Sequence, residues 1–243
     1  MQMVRTFLAT AGALAAVALA APAAAAPATI TVTGNVLNGY DPSGVFGAAG
    51  ANLAGLPFSA IFTIAPQPGN TMIDTASLSY LFGMGAASPV TAALTIGAGT
   101  HNFGGKLSGS ARAVNNAGAG GTDGLYYSSE DTDVALLPSD STLFYVSVDS
   151  LRDLLTRADY TSYGTIDLTA ADNAQGQARI ANRDPATGAP GASTYANLSL
   201  TSITARVGAP VPEPATWAMM VTGFAVAGVA LRRRRVSARV RFA

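Results

Sequence analysis

Ala28-Thr29-Ile30-Thr31-Val32-Thr33-Gly34-Asn35-Val36 decides the fold class. Ile30, Val32 and Val36 recur with near period-two spacing, which is the pattern of a half-buried strand rather than a helix. Phe58-Ser-Ala-Ile-Phe-Thr-Ile64 is a second run of this kind, and Pro66-Gln-Pro-Gly-Asn70 behind it is a strong turn signal. Outward from these, short β-type runs alternate with clusters of Gly, Pro, Asn and Asp as far as Thr194-Tyr-Ala-Asn-Leu-Ser-Leu-Thr-Ser-Ile-Thr-Ala-Arg-Val207. About ten candidate strands lie between residues 27 and 207, and their composition and spacing predict one all-β domain, a jelly-roll-like β-sandwich. One short helix is expected within it. Asp149 or Ser150 would cap a segment in which Leu151, Leu154, Leu155 and Ala158 recur at i, i+3, i+4 and i+7.

Composition narrows the function classes. The chain of 243 residues has 26 Gly, no Cys, one His, and only 12% charged residues. Without cysteine there is no disulfide staple, thiolate metal site or thiol nucleophile. The formal net charge of zero averages unlike parts. Arg5, Arg232, Arg233, Arg234, Arg235, Arg239 and Arg241 lie at the ends, leaving seven basic against 13 acidic residues between Ala26 and Pro210. That stretch carries 7 − 13 = −6, the opposite of a nucleic-acid footprint, so no nucleic-acid partner is expected.

Little in the middle of the chain carries chemistry. A triad or a zinc site would have to use His101, the single histidine, and neither a G-x-S-x-G elbow nor a phosphate-binding glycine loop accompanies it. His101 therefore reads as a strand-end residue, and no cofactor is expected. Asp123, Glu130, Asp131 and Asp133 fall close together, with Asp140 behind them. These are oxygen ligands of the kind Ca²⁺ takes, although the spacing is not that of an EF-hand, and a polar turn accounts for them more simply. Tyr126, Tyr127, Tyr145, Tyr160 and Tyr163 would supply a sugar-stacking platform if exposed together, and are core residues otherwise. Asp41-Pro42-Ser43-Gly44 is a turn.

The two ends say more. Residues 1–26 place Arg5 before an apolar run from Phe7 to Ala20 and then a stretch of small residues with A-x-A sites. This is the layout of a secretory signal peptide. After a linker at residues 208–214 that contains Val211-Pro212-Glu213-Pro214, residues 215–231 form an apolar segment at the lower length limit for a transmembrane helix. A basic tail, residues 232–243, opens with Arg232 to Arg235, which would hold that end in the cytoplasm.

Pro212-Glu213-Pro214-x-x-Trp217-Ala218, the apolar segment and Arg232-Arg233-Arg234-Arg235 together resemble the PEP-CTERM sorting domain in its PEPxxWA form. The resemblance covers about 25 residues and implies an exported protein of a Gram-negative bacterium. It also implies an exosortase-type membrane peptidase as partner, which recognises the tail and removes it. On that pattern the precursor is anchored in the inner membrane and the product passes to the outer surface or the extracellular, biofilm-type matrix, with exopolysaccharide as a matrix partner. The physical logic agrees. Two prolines flanking Glu213 deny helix and strand hydrogen bonds and leave the segment extended.

The expected role is therefore non-enzymatic, structural or interacting. The alternatives are a carbohydrate- or calcium-binding adhesin-like module and, in a different class, a secreted hydrolase with two carboxylates across a cleft. An exposed tyrosine row on a concave sheet face would favour the module.

Overall fold

The structure is a computed structural model, and it describes residues 26–117, 121–131, 142–182, 191–208 and 223–224. The chain divides into two units, Ala26–Gly208 and a second formed by Met1–Ala25 with Ala209–Ala243. In the second unit only Gly223 and Phe224 are described, and both are helical and exposed.

Among the described residues the first unit has thirteen strands. They are β1 (Ala28–Asp41), β2 (Ala51–Asn52), β3 (Pro57–Ile64), β4 (Thr71–Asp74), β5 (Leu78–Met84), β6 (Val90–Ile96), β7 (Gly99–Phe103), β8 (Ser108–Val114), β9 (Asp123–Glu130), β10 (Leu143–Ser150), β11 (Gly164–Asp167), β12 (Asn173–Ile180) and β13 (Thr194–Val207). Period-two alternation is strict in β3 and breaks once within β1 and once within β13. In β3, Phe58, Ala60, Phe62 and Ile64 are buried while the residues between them face water. Pro57 occupies the first position of its strand, where its missing N–H costs least. The Pro66–Asn70 turn forms as read, with Gly69 at φ 89° and the Asn70 amide donating to the Gln67 carbonyl at 3.2 Å.

The all-β expectation holds, but the strands do not divide into the two sheets of a jelly-roll sandwich. They hydrogen-bond as one antiparallel sheet in the order β4-β5-β8-β9-β10-β12-β13-β1-β3-β6-β7, with β11 also on β13 and β2 also on β1. The sheet curls into a half-barrel, so that β6 crosses over β8 and β9. The β12–β13 ladder, from Gln175↔Ser199 to Ile180↔Thr194, makes the sheet continuous where a sandwich would break. The core fills the inside of the curl. Phe62 of β3 stacks on Phe144 of β10 at 4.8 Å and meets Tyr127 of β9 at 5.8 Å, while Phe103 of β7 meets Phe144 at 5.4 Å. A buried hydroxyl spans the same gap, since Ser129 Oγ lies 3.2 Å from the Val90 carbonyl and 3.3 Å from that of Phe103.

The predicted helix at Ser150–Ala158 is absent; the segment is irregular. The backbone amides of Leu154 and Leu155 both donate to the Asp123 carboxylate at 2.7 Å, and that of Arg152 donates to Ser150 Oγ at 2.9 Å. Leu151 stands 80% exposed although Leu155 and Ala158 are buried, so the spacing that mimicked one helical face serves a loop instead. Apart from Gly223 and Phe224, the described helical structure is one 3₁₀ turn, Gly85–Ala87.

Candidate functional site

Adjacent residues of a strand point to opposite faces, so Tyr126 and Tyr127 must part company. Tyr127 goes inward and is fully buried, its hydroxyl donating to the Tyr160 carbonyl at 2.8 Å and lying 3.1 Å from Tyr163 Oη. Burial and the neighbouring Tyr163 push its pKa well above the ordinary value, and burial likewise raises that of Tyr163. These two tyrosines and Tyr160 are core.

Tyr126 goes outward, as does Tyr145 of β10, and their rings lie nearly parallel at 6.0 Å. The Arg112 guanidinium of β8, directly opposite Tyr126 in the ladder, sits 6.0 Å from its ring centroid, within cation–π range. Tyr80 and Phe82 of β5 continue the aromatic surface, with centroids 6.4 Å apart and planes within 5°. Burial raises the Tyr126 pKa.

The cross-strand register extends this cluster into a strip. One row runs Phe82, Ser110, Ser128, Tyr145, Gln177, Asn197 and Asn38. The next runs Tyr80, Arg112, Tyr126, Ser147, Gln175, Ser199 and Asn35. Side chains link along the first row: Ser110 and Ser128 hydroxyls at 2.9 Å, Gln177 Nε2 to Asn197 Oδ1 at 3.0 Å, and Asn197 Nδ2 to Asn38 Oδ1 at 2.7 Å. Seven strands spaced about 4.8 Å apart make the strip roughly 29 Å long. Neither row holds a carboxylate, whereas Glu130 and Asp149 stand in the flanking rows. The strip lies on the convex outside of the curl, not on the concave face expected of a tyrosine row.

The outer face of the other half of the sheet is different. There Thr29, Thr31 and Thr33 of β1, Thr63 of β3, Thr91 and Thr95 of β6, Thr165 of β11 and Thr204 of β13 stand in register. Hydroxyls pair across strands at 2.9 Å for Thr33 with Ser202 and Thr165 with Thr204, and at 2.8 Å for Thr95 with Thr100.

The described members of the acidic run are not gathered into a metal site. Asp123 and Glu130 occupy opposite ends of β9. Asp123 is buried and accepts three backbone amides, from Asn116, Leu154 and Leu155. Asp131 accepts those of Gly104 and Lys106 at 2.9 and 3.0 Å. Asp133 and Asp140 lie outside the described residues, and among the described residues no three His or acidic side chains are grouped to hold a metal ion. His101 lies within β7, not at its end, edge-on to Phe103 at 4.8 Å. Burial lowers its pKa, with Asp131 opposing. Asp41, read as a plain turn residue, proves to be an anchor. It is buried and accepts the amides of Val45 at 2.9 Å and Phe46 at 2.7 Å and the Thr194 hydroxyl at 2.8 Å.

Pro212, Glu213, Pro214, Trp217 and Arg232 to Arg235 lie outside the described residues, as do the signal-peptide segment and all of the expected 215–231 helix save Gly223 and Phe224. Among the described residues no helix is long and apolar enough to cross a membrane. Comparison with protein families decides the C-terminal end. Residues 210–235 match the PEP-CTERM protein-sorting motif. The PEP-CTERM match spans Pro212, Glu213, Pro214, Trp217 and the four arginines. It supports an exported protein that is membrane-anchored before processing and addressed to an exosortase. No curated protein and no solved structure matches the chain.

Proposed function

We propose that this protein is a non-enzymatic structural or interaction component of the Gram-negative cell envelope or extracellular matrix. A signal peptide at residues 1–26 exports it, residues 215–231 anchor the precursor in the inner membrane, and an exosortase removes the tail before the β domain reaches the surface. The observation that carries this reading is the PEP-CTERM match at residues 210–235, behind a β domain that ends at Gly208. The carboxylates of Asp41, Asp123, Asp131 and Asp172 support a scaffold role, since each is occupied by hydrogen-bond donors that fix loops.

Replacing Pro212, Glu213 and Pro214 by alanine leaves export intact and stops tail removal. The intact mass of the protein from native cells, fraction by fraction, reads the result. A product of the variant lacking Arg232 to Ala243 would overturn the sorting reading.

A second reading, the carbohydrate-binding adhesin-like module, draws on the outward Tyr126–Tyr145 pair and its amide neighbours. The calcium version of that module has no comparable support among the described residues.

A further inference from the structure

We infer that the outer strip, from Tyr80 and Phe82 across Tyr126 and Tyr145 to Gln177 and Asn197, binds a neutral polysaccharide chain lying across the strands. The inference rests on the matrix reading and names the ligand class for it.

Three features carry it. Sugars offer apolar C–H faces and a fringe of hydroxyls. The strip presents aromatic rings at one end and side-chain amides at the other, joined by serines. Aromatic side chains left partly exposed in two adjacent rows are not explained by the core, which lies on the opposite face of every one of these strands.

Charge selects the polymer. The stretch from Ala26 to Pro210 carries 7 − 13 = −6, so a polyanion would approach against the field of the domain. Arg112, the one charge in the two rows, faces a ring, and one cation does not offset that excess. A neutral chain meets no such barrier and finds no carboxylate in either row to desolvate.

Shape selects length. A convex face has no walls, so each sugar unit is touched from one side only and contributes little. Binding then requires many units along the roughly 29 Å strip. A polymer satisfies this and a monosaccharide does not.

The test is affinity electrophoresis of the exported protein in native gels containing dextran, laminarin or galactomannan, with alginate as the polyanion and glucose as competitor. At least one neutral polymer retards the protein, alginate does not, and glucose at millimolar concentration leaves the retardation unchanged. The Tyr126→Ala/Tyr145→Ala pair weakens retention at least tenfold. Tyr126→Phe/Tyr145→Phe and the pair Thr31→Ala/Thr95→Ala, on the outer face of the other half of the sheet, change it less than threefold. Gln177→Ala, which removes a surface amide, weakens it at least threefold and serves where the alanine pair proves unfolded by circular dichroism. Absence of retardation by all three neutral polymers, stronger retardation by alginate, or equal retention by the Gln177 and Thr31/Thr95 variants overturns the inference. Tail mass is read on the same samples. Normal tail removal without polysaccharide binding sinks this inference alone, whereas binding with an unprocessed tail sinks the sorting reading alone.

Discussion

The two halves of the curled sheet share one core and differ on their outer faces. From β5 to β12 that face carries tyrosines, a phenylalanine, an arginine and amides. On β11, β3, β6 and the stretches of β1 and β13 that pair with them it carries mostly threonine and serine, with hydroxyls paired across strands and Ile61 exposed among them. A threonine face is what a sheet needs in order to be a sheet: β-branched, wet and small. The aromatic face does more than that requires, because Tyr126 or Tyr145 could be threonine without loss to the core. The two surfaces meet on β1 and β13, which carry Thr31 and Thr204 toward one end and Asn38 and Asn197 toward the other.

The sharpest way to break this comparison is through Phe62, which projects from the threonine half onto Tyr127 and Phe144 of the aromatic half. Phe62→Ala costs about 3–5 kcal/mol. Urea unfolding followed by near-ultraviolet tyrosine signal and by far-ultraviolet dichroism then shows one shared transition. Separate transitions would mean that the halves are independent units and the comparison is between two domains.

Next comes Asp123→Ala, which strands the backbone amides of Asn116, Leu154 and Leu155, the last of them buried. The expected cost is about 2–4 kcal/mol, with proteolytic nicking between Ser150 and Tyr163 as the local sign. Equal protection of that loop in the variant would show that its apolar contacts, not Asp123, fix it.

Acid acts on both halves. Hydrogen bonds from Arg152 above all hold the Asp172 pKa well below the carboxylate range. For Asp41, burial pushes upward, but amides from Phe46 and Val45 and the Thr194 hydroxyl bring the pKa below its ordinary value. Both groups are more acidic folded than unfolded. Their stabilisation is complete above the unfolded value of about 3.9 and fades as pH falls through the folded ones. The urea midpoint at pH 3 is therefore below that at pH 5; an unchanged midpoint would refute the assignment.

The smallest effect sharpens the contrast most. Thr95→Val, on the threonine face, moves stability by no more than about 0.5 kcal/mol, and Tyr126→Thr/Tyr145→Thr by no more than about 1 kcal/mol. Only the tyrosine pair abolishes polysaccharide retention.

What could be read from the sequence followed from local rules. Period-two runs located the strands, because burial on one face repeats every second residue wherever the strand lies. Whether the strands closed into one sheet or two depended also on β1 meeting β13, the two ends of the domain, a pairing of long range that no local pattern encodes. The false helix failed for a related reason. Its spacing was sound, but its amides found a carboxylate about thirty residues earlier in the chain. The tyrosine platform was half legible: strand parity says that Tyr126 and Tyr127 part, and only the folded sheet says which faces out. Arg112, Gln177 and Asn197 gave no signal, since they join the site only through register.

β13 lies in the middle of the sheet, bonded to β1 along one side and to β11 and β12 along the other. The Gly208 amide, immediately after it, donates to the Pro27 carbonyl at 2.9 Å. Any tension on the domain from its tail is therefore delivered into a strand clamped from both flanks. Pulled lengthwise, that strand must shear two ladders at once instead of peeling away bond by bond.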